Sequence, residues 1–212
     1  MRETPDDPDA TMTPSPLRAR LTGDQRRALI LDSARREFAR RGFHGASTAC
    51  IASAAGCSEP MLYKHFASKQ ALFAAALEYV TSTIEGNFDG LFSRGNNLLD
   101  NLDQYLPGLM QDPAYVEMMQ LRKLAVTMID EPSVRETLEG IQSRHLARMA
   151  EAVEIGNRQG AFRPGVDASY IAWMWTGMML AGCFRESLDP GGFADMLPHI
   201  ETFIDGLRAD ID

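Results

Sequence analysis

The segment CSEPMLYKHFASKQAL, residues 57–72, concentrates side chains that suit contacts with an anion. Tyr63, Lys64 and Lys69 end in a hydroxyl or an ammonium group, and His65 lies beside them. Such groups are frequent donors to phosphate oxygens in nucleic-acid complexes. The residue types therefore predict a phosphate-binding surface. The alternatives are that each Lys is an ordinary surface charge, that Tyr63 is a half-buried aromatic, and that His65 supports the turn.

Charge is unevenly distributed along the chain. The 212 residues include 21 Lys+Arg and 29 Asp+Glu, for a net charge of −8. Residues 17–72 nevertheless hold ten Lys+Arg and four Asp+Glu, whereas residues 73–212 hold ten and 21. This asymmetry predicts a basic head that binds a polyanion, followed by an acidic body with a different task. The alternative for the arginines of the head is a solvated helix face.

Helix start and stop signals predict two short helices around this segment. Ser47 or Thr48 can cap the first, and Gly56 supplies the turn that follows it. Ser58 can cap the second helix, in which Pro60 falls in the first turn and costs no hydrogen bond. A pair of helices joined in this way is a helix-turn-helix, whose second helix enters the major groove of DNA.

The residues predicted to contact DNA are those left on the outer side of this turn. Apolar residues between them, such as Ile51, Leu62 and Phe66, are predicted to pack inward. The predicted DNA-binding set comprises Ser47, Thr48, Ser58, Glu59, Pro60, Met61, Tyr63, Lys64, His65 and Lys69.

The segment from Arg27 to Leu72 resembles the N-terminal domain of the TetR (tetracycline-repressor) family. The resemblance implies an all-α homodimer whose first three helices bind operator DNA and whose remaining helices bind a small-molecule inducer. The positions that carry it are Ile30, Ala34, Phe38, Gly42-Phe43, Ser47-Thr48, Ile51-Ala52, Ala55-Gly56, Ser58, Leu62-Tyr63, His65-Phe66, Ser68-Lys69 and Leu72.

Three positions depart from the family pattern. Ala49 stands where members often have a basic residue, Cys50 where an acid is common, and Glu59 where Lys or Gln is frequent. A carboxylate at residue 59 either accepts a hydrogen bond from a cytosine amino group or weakens DNA binding. The departures therefore bear on which sequence is bound.

Composition and periodicity predict three parts. Residues 1–20 are predicted to form a disordered, proline-rich leader, residues 21–72 the helix-turn-helix domain, and residues 73–212 a helical domain for ligand binding and dimerisation. A long helix is predicted to start at Ser68, at the end of the helix-turn-helix domain, and to run into the last part as far as about Phe92, with a break at residues 95–97. No segment alternates with period two, so the predicted fold class is all-α.

The segment from Ala168 to Phe184 contains no charged residue. It is short for a membrane span, and its polar and small residues lower its hydrophobicity. A helix buried on all sides is therefore predicted, with one side against the core and the other against a second subunit. An apolar stripe on the last helix suits the same contact, or alternatively the chain's own core. The predicted dimer interface comprises Gly177, Ala181, Phe184, Met196, Ile200, Phe203, Ile204 and Leu207.

The body holds both Trp and most of the Met residues, which suit an adaptable apolar cavity. Arg122 and His145 are the predicted polar anchors, and an apolar or amphipathic compound is the predicted ligand. The alternatives are a cation paired with an acid, and Met residues that only fill the core. The predicted ligand contacts are Tyr105, Met118, Arg122, His145 and Trp173.

The sequence lacks the motifs that are typical of other function classes. No GxSxG, HExxH or phosphate-loop motif is present, and the Cys and His residues are not spaced as metal ligands, so neither an enzyme nor a cofactor or metal site is predicted. The number of cysteines is odd, and no signal peptide is recognised. Both features favour a protein of the reducing cytoplasm that is not embedded in a membrane. The sequence thus predicts a ligand-responsive regulator, most simply a repressor, that binds a palindromic operator as a homodimer. The alternative is a helical protein-binding adaptor without DNA activity.

Overall fold

The computed structural model describes residues 21–92, 98–189, 191–192 and 194–208. Within these residues the chain forms nine α-helices, a short 3-10 helix and no strand, which confirms the all-α prediction. The predicted leader, residues 1–20, and the predicted break at 95–97 lie outside the described residues. The helices are α1 (Gly23–Gly45), α2 (Thr48–Ala54), α3 (Glu59–His65), α4 (Lys69–Phe92), α5 (Leu98–Gln111), α6 (Pro113–Val126), α7 (Pro132–Arg158), α8 (Ala168–Leu188) and α9 (Leu197–Asp205).

The head, helices α1–α3, begins with a capping box. The backbone amide of Gln25 donates to Thr22 Oγ1 at 3.2 Å, and Thr22 N–H donates back to Gln25 Oε1 at 2.9 Å. Near the other end of α1, Gly42 leaves helical geometry with φ at 70°, a value that favours glycine. The core side of α1 includes Ile30 and Phe38, both fully buried.

Helix α4 joins the head to the body. Ser68 Oγ accepts a hydrogen bond from the amide of Ala71 at 3.0 Å, so it caps the start of this helix. Phe73, one turn on, packs edge-on against Phe38 of α1 at 5.1 Å between ring centroids. Farther along, α4 packs against α6 and α7. A displacement of α4 within the body therefore reaches the head through packed side chains.

The body is built from α5–α9 around the second half of α4. Asp112 and Asp167 cap α6 and α8, because their side chains accept hydrogen bonds from backbone amides at 2.8 and 2.7 Å. Helix α6 ends at Val126, although its apolar pattern predicts an end at Ile129; a turn occupies the intervening residues. The starts of α6 and α8 are therefore encoded locally.

Candidate functional site

Two arginines of α1 hold the turn between α2 and α3. Gly56 adopts φ at 66°, and its carbonyl accepts a hydrogen bond from Arg26 Nη1 at 3.0 Å. Arg27 Nη1 donates to the carbonyl of His65 at 3.2 Å, and its guanidinium lies 4.4 Å from the centre of the Phe66 ring. These contacts fix α3 on α1. Sequence reasoning treated both arginines only as basic residues, because a carbonyl about thirty residues away leaves no local signal.

A hydroxyl–carboxylate cluster connects α2 and α3 on their outer side. Thr48 Oγ1 donates to Glu59 Oε1, and the Tyr63 hydroxyl donates to Thr48 Oγ1 at 3.4 Å. Ser58 occupies the N-cap position of α3, as predicted, but its side chain makes no capping hydrogen bond. Ser47, by contrast, caps α2 by accepting from the amide of Cys50 at 3.4 Å. Glu59 is thus positioned by α2 as well as by its own helix.

The predicted DNA-contacting side chains remain outside the core. Met61 is 37% exposed and Tyr63 45% exposed, whereas Leu62 between them is fully buried. Lys69 Nζ lies 4.8 Å from the centre of the Phe43 ring. The exposed members of the set are Ser58, Pro60, Met61, Tyr63 and Lys64, and the half-buried members are Ser47, Thr48, Glu59, His65 and Lys69.

Four other basic residues of α1 are engaged in ion pairs. Arg35 and Arg36 pair with Asp32, and Arg40 and Arg41 pair with Glu37. These pairs lie on the surface of the helix or partly buried beside it. Much of the positive charge of the head is therefore balanced locally, which leaves Lys64 and Lys69 as the lysines placed next to α3.

A cavity lies in the body between α4, α6, α7 and α8. The space open to the centre of a water molecule is about 60 Å³. Its apolar lining is rich in Met, and its polar lining comprises Thr81, Glu85, Arg122, His145, Arg148 and Thr176. By this measure one water needs about 10–15 Å³, so a ligand larger than a few waters requires side chains to move. Met side chains adapt readily because they are unbranched and flexible.

Arg122 is the central polar group of this cavity. It donates to Gln142 Oε1 at 3.4 Å, and no carboxylate among the described residues forms an ion pair with it. Burial lowers the pKa of its guanidinium. Burial and the nearby Arg122 charge together lower the pKa of His145 to about 4, so His145 is neutral at pH 7. The cavity therefore contains a half-buried cation beside a neutral imidazole.

Thr81 lines the same cavity and has an unsatisfied hydroxyl. The residue is 2% exposed, and its Oγ1 has no hydrogen-bond partner among the described residues. Thr176, across the cavity, instead donates to the carbonyl of Ala172 at 2.9 Å. A buried hydroxyl without a partner costs free energy, so Thr81 is a group that a ligand can satisfy.

Three of the five predicted ligand contacts line the cavity: Met118, Arg122 and His145. Tyr105 packs against the core but is not part of the cavity wall. The assignment of Trp173 requires correction, because this side chain is 63% exposed, whereas Trp175 is 8% exposed and lines the cavity. Two positions along a helix are about 200° apart, so the two rings face opposite directions. Sequence reasoning also missed Thr81.

Helix α8 leaves a continuous apolar face uncovered in the single chain. Large side chains along it are 39–66% exposed, and Gly177 and Ala181 lie among them. Of the predicted interface residues on this helix, Phe184 is 66% exposed. The exposed large residues are Tyr170, Trp173, Met174, Leu180, Phe184 and Leu188. This run spans roughly 27 Å of helix at 1.5 Å per residue.

The predicted contribution of α9 to a subunit interface needs correction. Ile200, Ile204 and Leu207 are 0%, 2% and 6% exposed and belong to the core of their own chain. Met196 and Phe203 are half-buried and also pack against that core. The apolar stripe of α9 is therefore intramolecular, because a short helix with one apolar face covers the end of its own bundle.

Two other site classes are absent from the part of the chain that the structure describes. It contains no cluster of three or more His, Cys, Asp or Glu side chains arranged to hold a metal ion. Its helices include none that is long and apolar enough to cross a bilayer. Burial raises the pKa of the Cys183 thiol to about 11, so this thiol stays protonated at pH 7.

Comparison with known proteins places these features in context. Residues 30–76 match the family model described as bacterial regulatory proteins, tetR family. The chain is 43% identical over 68 residues to the transcriptional activator FasR of Mycolicibacterium smegmatis, a match covering 32% of this chain and 31% of FasR. It is 27% identical over 158 residues to the transcriptional repressor KstR2 of Mycobacterium tuberculosis, covering 70% and 74% of the two chains.

Solved structures share the whole architecture. A TetR-family transcriptional regulator from Rhodococcus sp. superposes with a TM-score of 0.71 at 25% identity, covering 87% of this chain and 98% of that chain. The family model covers the helix-turn-helix, and the structural match extends through the helices that surround the cavity. Residues 30–76 therefore match a tetR-family domain, and the chain as a whole is similar to TetR-family transcriptional regulators.

Proposed function

We propose that this regulator binds a palindromic operator as a homodimer through α3. The observation that carries the proposal is the outward presentation of Met61, Tyr63 and Lys64 on a helix whose buried side is fixed by Arg26 and Arg27. A single short helix makes few base contacts, each worth about 1–3 kcal/mol against the wrong base, and twofold pairing doubles that number. Tyr63, Lys64 and Lys69 are proposed to contact phosphates, as are the hydroxyl groups of the predicted set.

The proposed dimer contact is the exposed face of α8. Monomeric soluble proteins rarely expose a continuous apolar patch of this extent, so a partner surface is expected to cover it. Gly177 and Ala181 on this face permit close approach of a second helix. The corrected interface centres on α8, with α9 supporting it from within each subunit.

The proposed effector site is the cavity around Arg122. Its walls include Thr81, Ile84 and Glu85 of α4, the helix that begins four residues after α3 ends. An effector that favours a shifted α4 changes the separation of the two α3 helices in the dimer, so that they no longer match successive major grooves. Operator affinity then falls, and by linkage the operator lowers effector affinity by the same factor. The two named relatives are an activator and a repressor; we propose repression relieved by effector.

Selection of bound sequences from a random DNA pool tests the DNA-binding proposal. The expected result is an enriched palindrome whose half-sites are spaced by about one helical turn of DNA. Met61→Glu, which places a carboxylate on the exposed side of α3, is expected to abolish enrichment. Val126→Glu is the matched control, since Val126 is 58% exposed at the end of α6. A helical adaptor without DNA activity would enrich no sequence with either protein.

A further inference from the structure

Two cavities of the body share a wall. The second lies beyond the first, with about 50 Å³ open to the centre of a water molecule, and all its lining residues are apolar. Met149 and Trp175 line both cavities. Ala152 and Phe162 belong to the second cavity alone. One polar chamber and one wholly apolar chamber are therefore separated by two side chains, one of them a flexible thioether.

Among the described residues, more guanidinium groups than carboxylates line the polar chamber. Arg122 and Arg148 line it, and the guanidinium of Arg148 donates to the backbone carbonyl of Glu85 at 2.8 Å. Glu85 is the one carboxylate among the described lining residues, and Arg144 Nε lies 3.6 Å from it. A cationic ligand would meet the guanidinium of Arg122, which forms no ion pair among the described residues, and a carboxylate that already has a partner. The charge distribution thus disfavours a cation and favours an anion.

The donors that remain suit a single carboxylate. Arg122 has no carboxylate partner among the described residues, and its forked donors match carboxylate geometry. Thr81 supplies a second donor, since its buried hydroxyl has no partner among those residues. His145, neutral at pH 7, supplies a third through its ring N–H. These three residues come from α4, α6 and α7, so a bound carboxylate would connect three helices.

We propose that the effector is an unbranched monocarboxylate, bound with its carboxylate at Arg122 and Thr81 and its hydrocarbon chain passing between Met149 and Trp175 into the second cavity. This inference names the effector class of the proposed function and rests on it. Both chambers are small, with about 60 and 50 Å³ open to the centre of a water molecule, which favours an unbranched chain over a branched or polycyclic one. The chain is expected to displace Met149, because a thioether side chain changes rotamer at low cost.

Trp175 provides a direct optical test. The chain has two Trp residues, and Trp173→Phe leaves Trp175, which lies between the chambers, as the only one. Fluorescence titration of this variant with straight-chain carboxylates from hexanoate to hexadecanoate is expected to show affinity rising with chain length up to a limit. Alcohols and alkyltrimethylammonium ions of equal length are expected to bind at least about tenfold more weakly. Equal binding of the alcohols would overturn the proposal.

Variants separate the carboxylate end from the chain end. Arg122→Gln is expected to weaken carboxylate binding about 10- to 100-fold while leaving alcohol binding unchanged. Ala152→Leu fills part of the second cavity and is expected to lower the affinity of long chains while sparing hexanoate. Glu151→Leu, on the exposed side of α7, is the matched control. Chain-length dependence that is the same in Ala152→Leu and in the control would contradict the second chamber's role.

Operator binding is measured separately, on ligand-free protein. If operator binds and no carboxylate does, this inference is wrong and the DNA-binding proposal stands. If a carboxylate binds as described but leaves operator affinity unchanged, the ligand class stands and the proposed release mechanism is wrong. If neither operator nor carboxylate binds to protein that unfolds cooperatively, both proposals are wrong.

Discussion

Glu117 of α6 forms an ion pair with Arg35 of α1, and the pair joins the cavity-lining helix to the head. The side chains are 22% and 16% exposed, so the pair is partly shielded from water. Arg35 also pairs with Asp32 at 2.7 Å. The neighbouring residue Met118 lines the cavity. One turn of α6 thus contacts both the candidate ligand site and the helix that supports the DNA-binding turn.

We expect Glu117→Gln to lower the free energy of unfolding by about 1 kcal/mol, because Arg35 keeps Asp32 as a partner. The same change is expected to reduce the loss of operator affinity that effector causes, since a contact between body and head is weakened. Urea unfolding and operator titration with and without effector measure the two effects. Glu136→Gln, at an exposed position of α7, is the control. Full effector response in Glu117→Gln would show that this ion pair does not contribute to coupling.

The three lysines of the chain provide an internal comparison for the DNA interface. Lys64 and Lys69 flank the end of α3, whereas Lys123 lies on α6 and donates to Ser187. We expect Lys64→Ala and Lys69→Ala each to flatten the slope of log affinity against log salt by about one, because each removes one phosphate contact. Lys123→Ala is expected to leave the slope unchanged. Operator titrations across a salt series distinguish these outcomes.

The exposed face of α8 is expected to hold the dimer together. Phe184, 66% exposed in the single chain, is predicted to be buried against the partner. We therefore expect Phe184→Asp to produce a monomer, because a charge would be buried without a partner. Light scattering after size-exclusion chromatography measures the mass. Val126→Asp, at a comparably exposed residue of α6, is expected to remain a dimer; a dimeric Phe184→Asp protein would place the interface elsewhere.

Because the hydroxyl of Thr81 is unsatisfied, its removal is expected to raise the stability of the protein and to weaken effector binding. We expect Thr81→Val to raise the free energy of unfolding of the ligand-free protein by about 1 kcal/mol, because it replaces the unpaired hydroxyl with a methyl group of similar size. The same variant is expected to bind effector about 3- to 10-fold more weakly. Thr176→Val is the control. It removes a hydroxyl that does form a hydrogen bond, so no gain in stability is expected. Urea unfolding of both variants tests the difference.

His145 predicts a dependence of stability on pH. Its pKa is about 4 in the folded protein, lowered from 6.5, so between these values the unfolded chain binds more protons. The free energy of unfolding should therefore fall as pH decreases from 6.5 towards 4, by at most about 1.4 kcal/mol per pH unit from this residue. His145→Gln is expected to lessen that decline, and His199→Gln, at an exposed position of α9, is expected to leave it as it is. Unfolding curves at several pH values measure both.

Local signals in the sequence predicted the elements of the fold and the helix-turn-helix. Ser47, Gly56 and Asp167 act within a few residues of their own position, so their effect can be read without knowledge of the rest of the chain. The alternation of exposed Met61 and Tyr63 with buried Leu62 follows from helical periodicity in the same way. The match of residues 30–76 to the tetR-family model rests on the same short-range pattern.

Which helix faces pack against each other can be seen only in the folded chain. Helix α8 is apolar on all sides over most of its length, so its periodicity does not show that Trp175 faces the cavity and Trp173 the solvent. The stripe of α9 predicted a contact with a partner subunit, with the chain's own core as the alternative, and packing placed Ile204 in the core. The cavity is assembled from helices far apart in sequence, so the meeting of Arg122 with Thr81 has no local signature. Long-range packing, which joins residues without regard to their sequence separation, determined the ligand site.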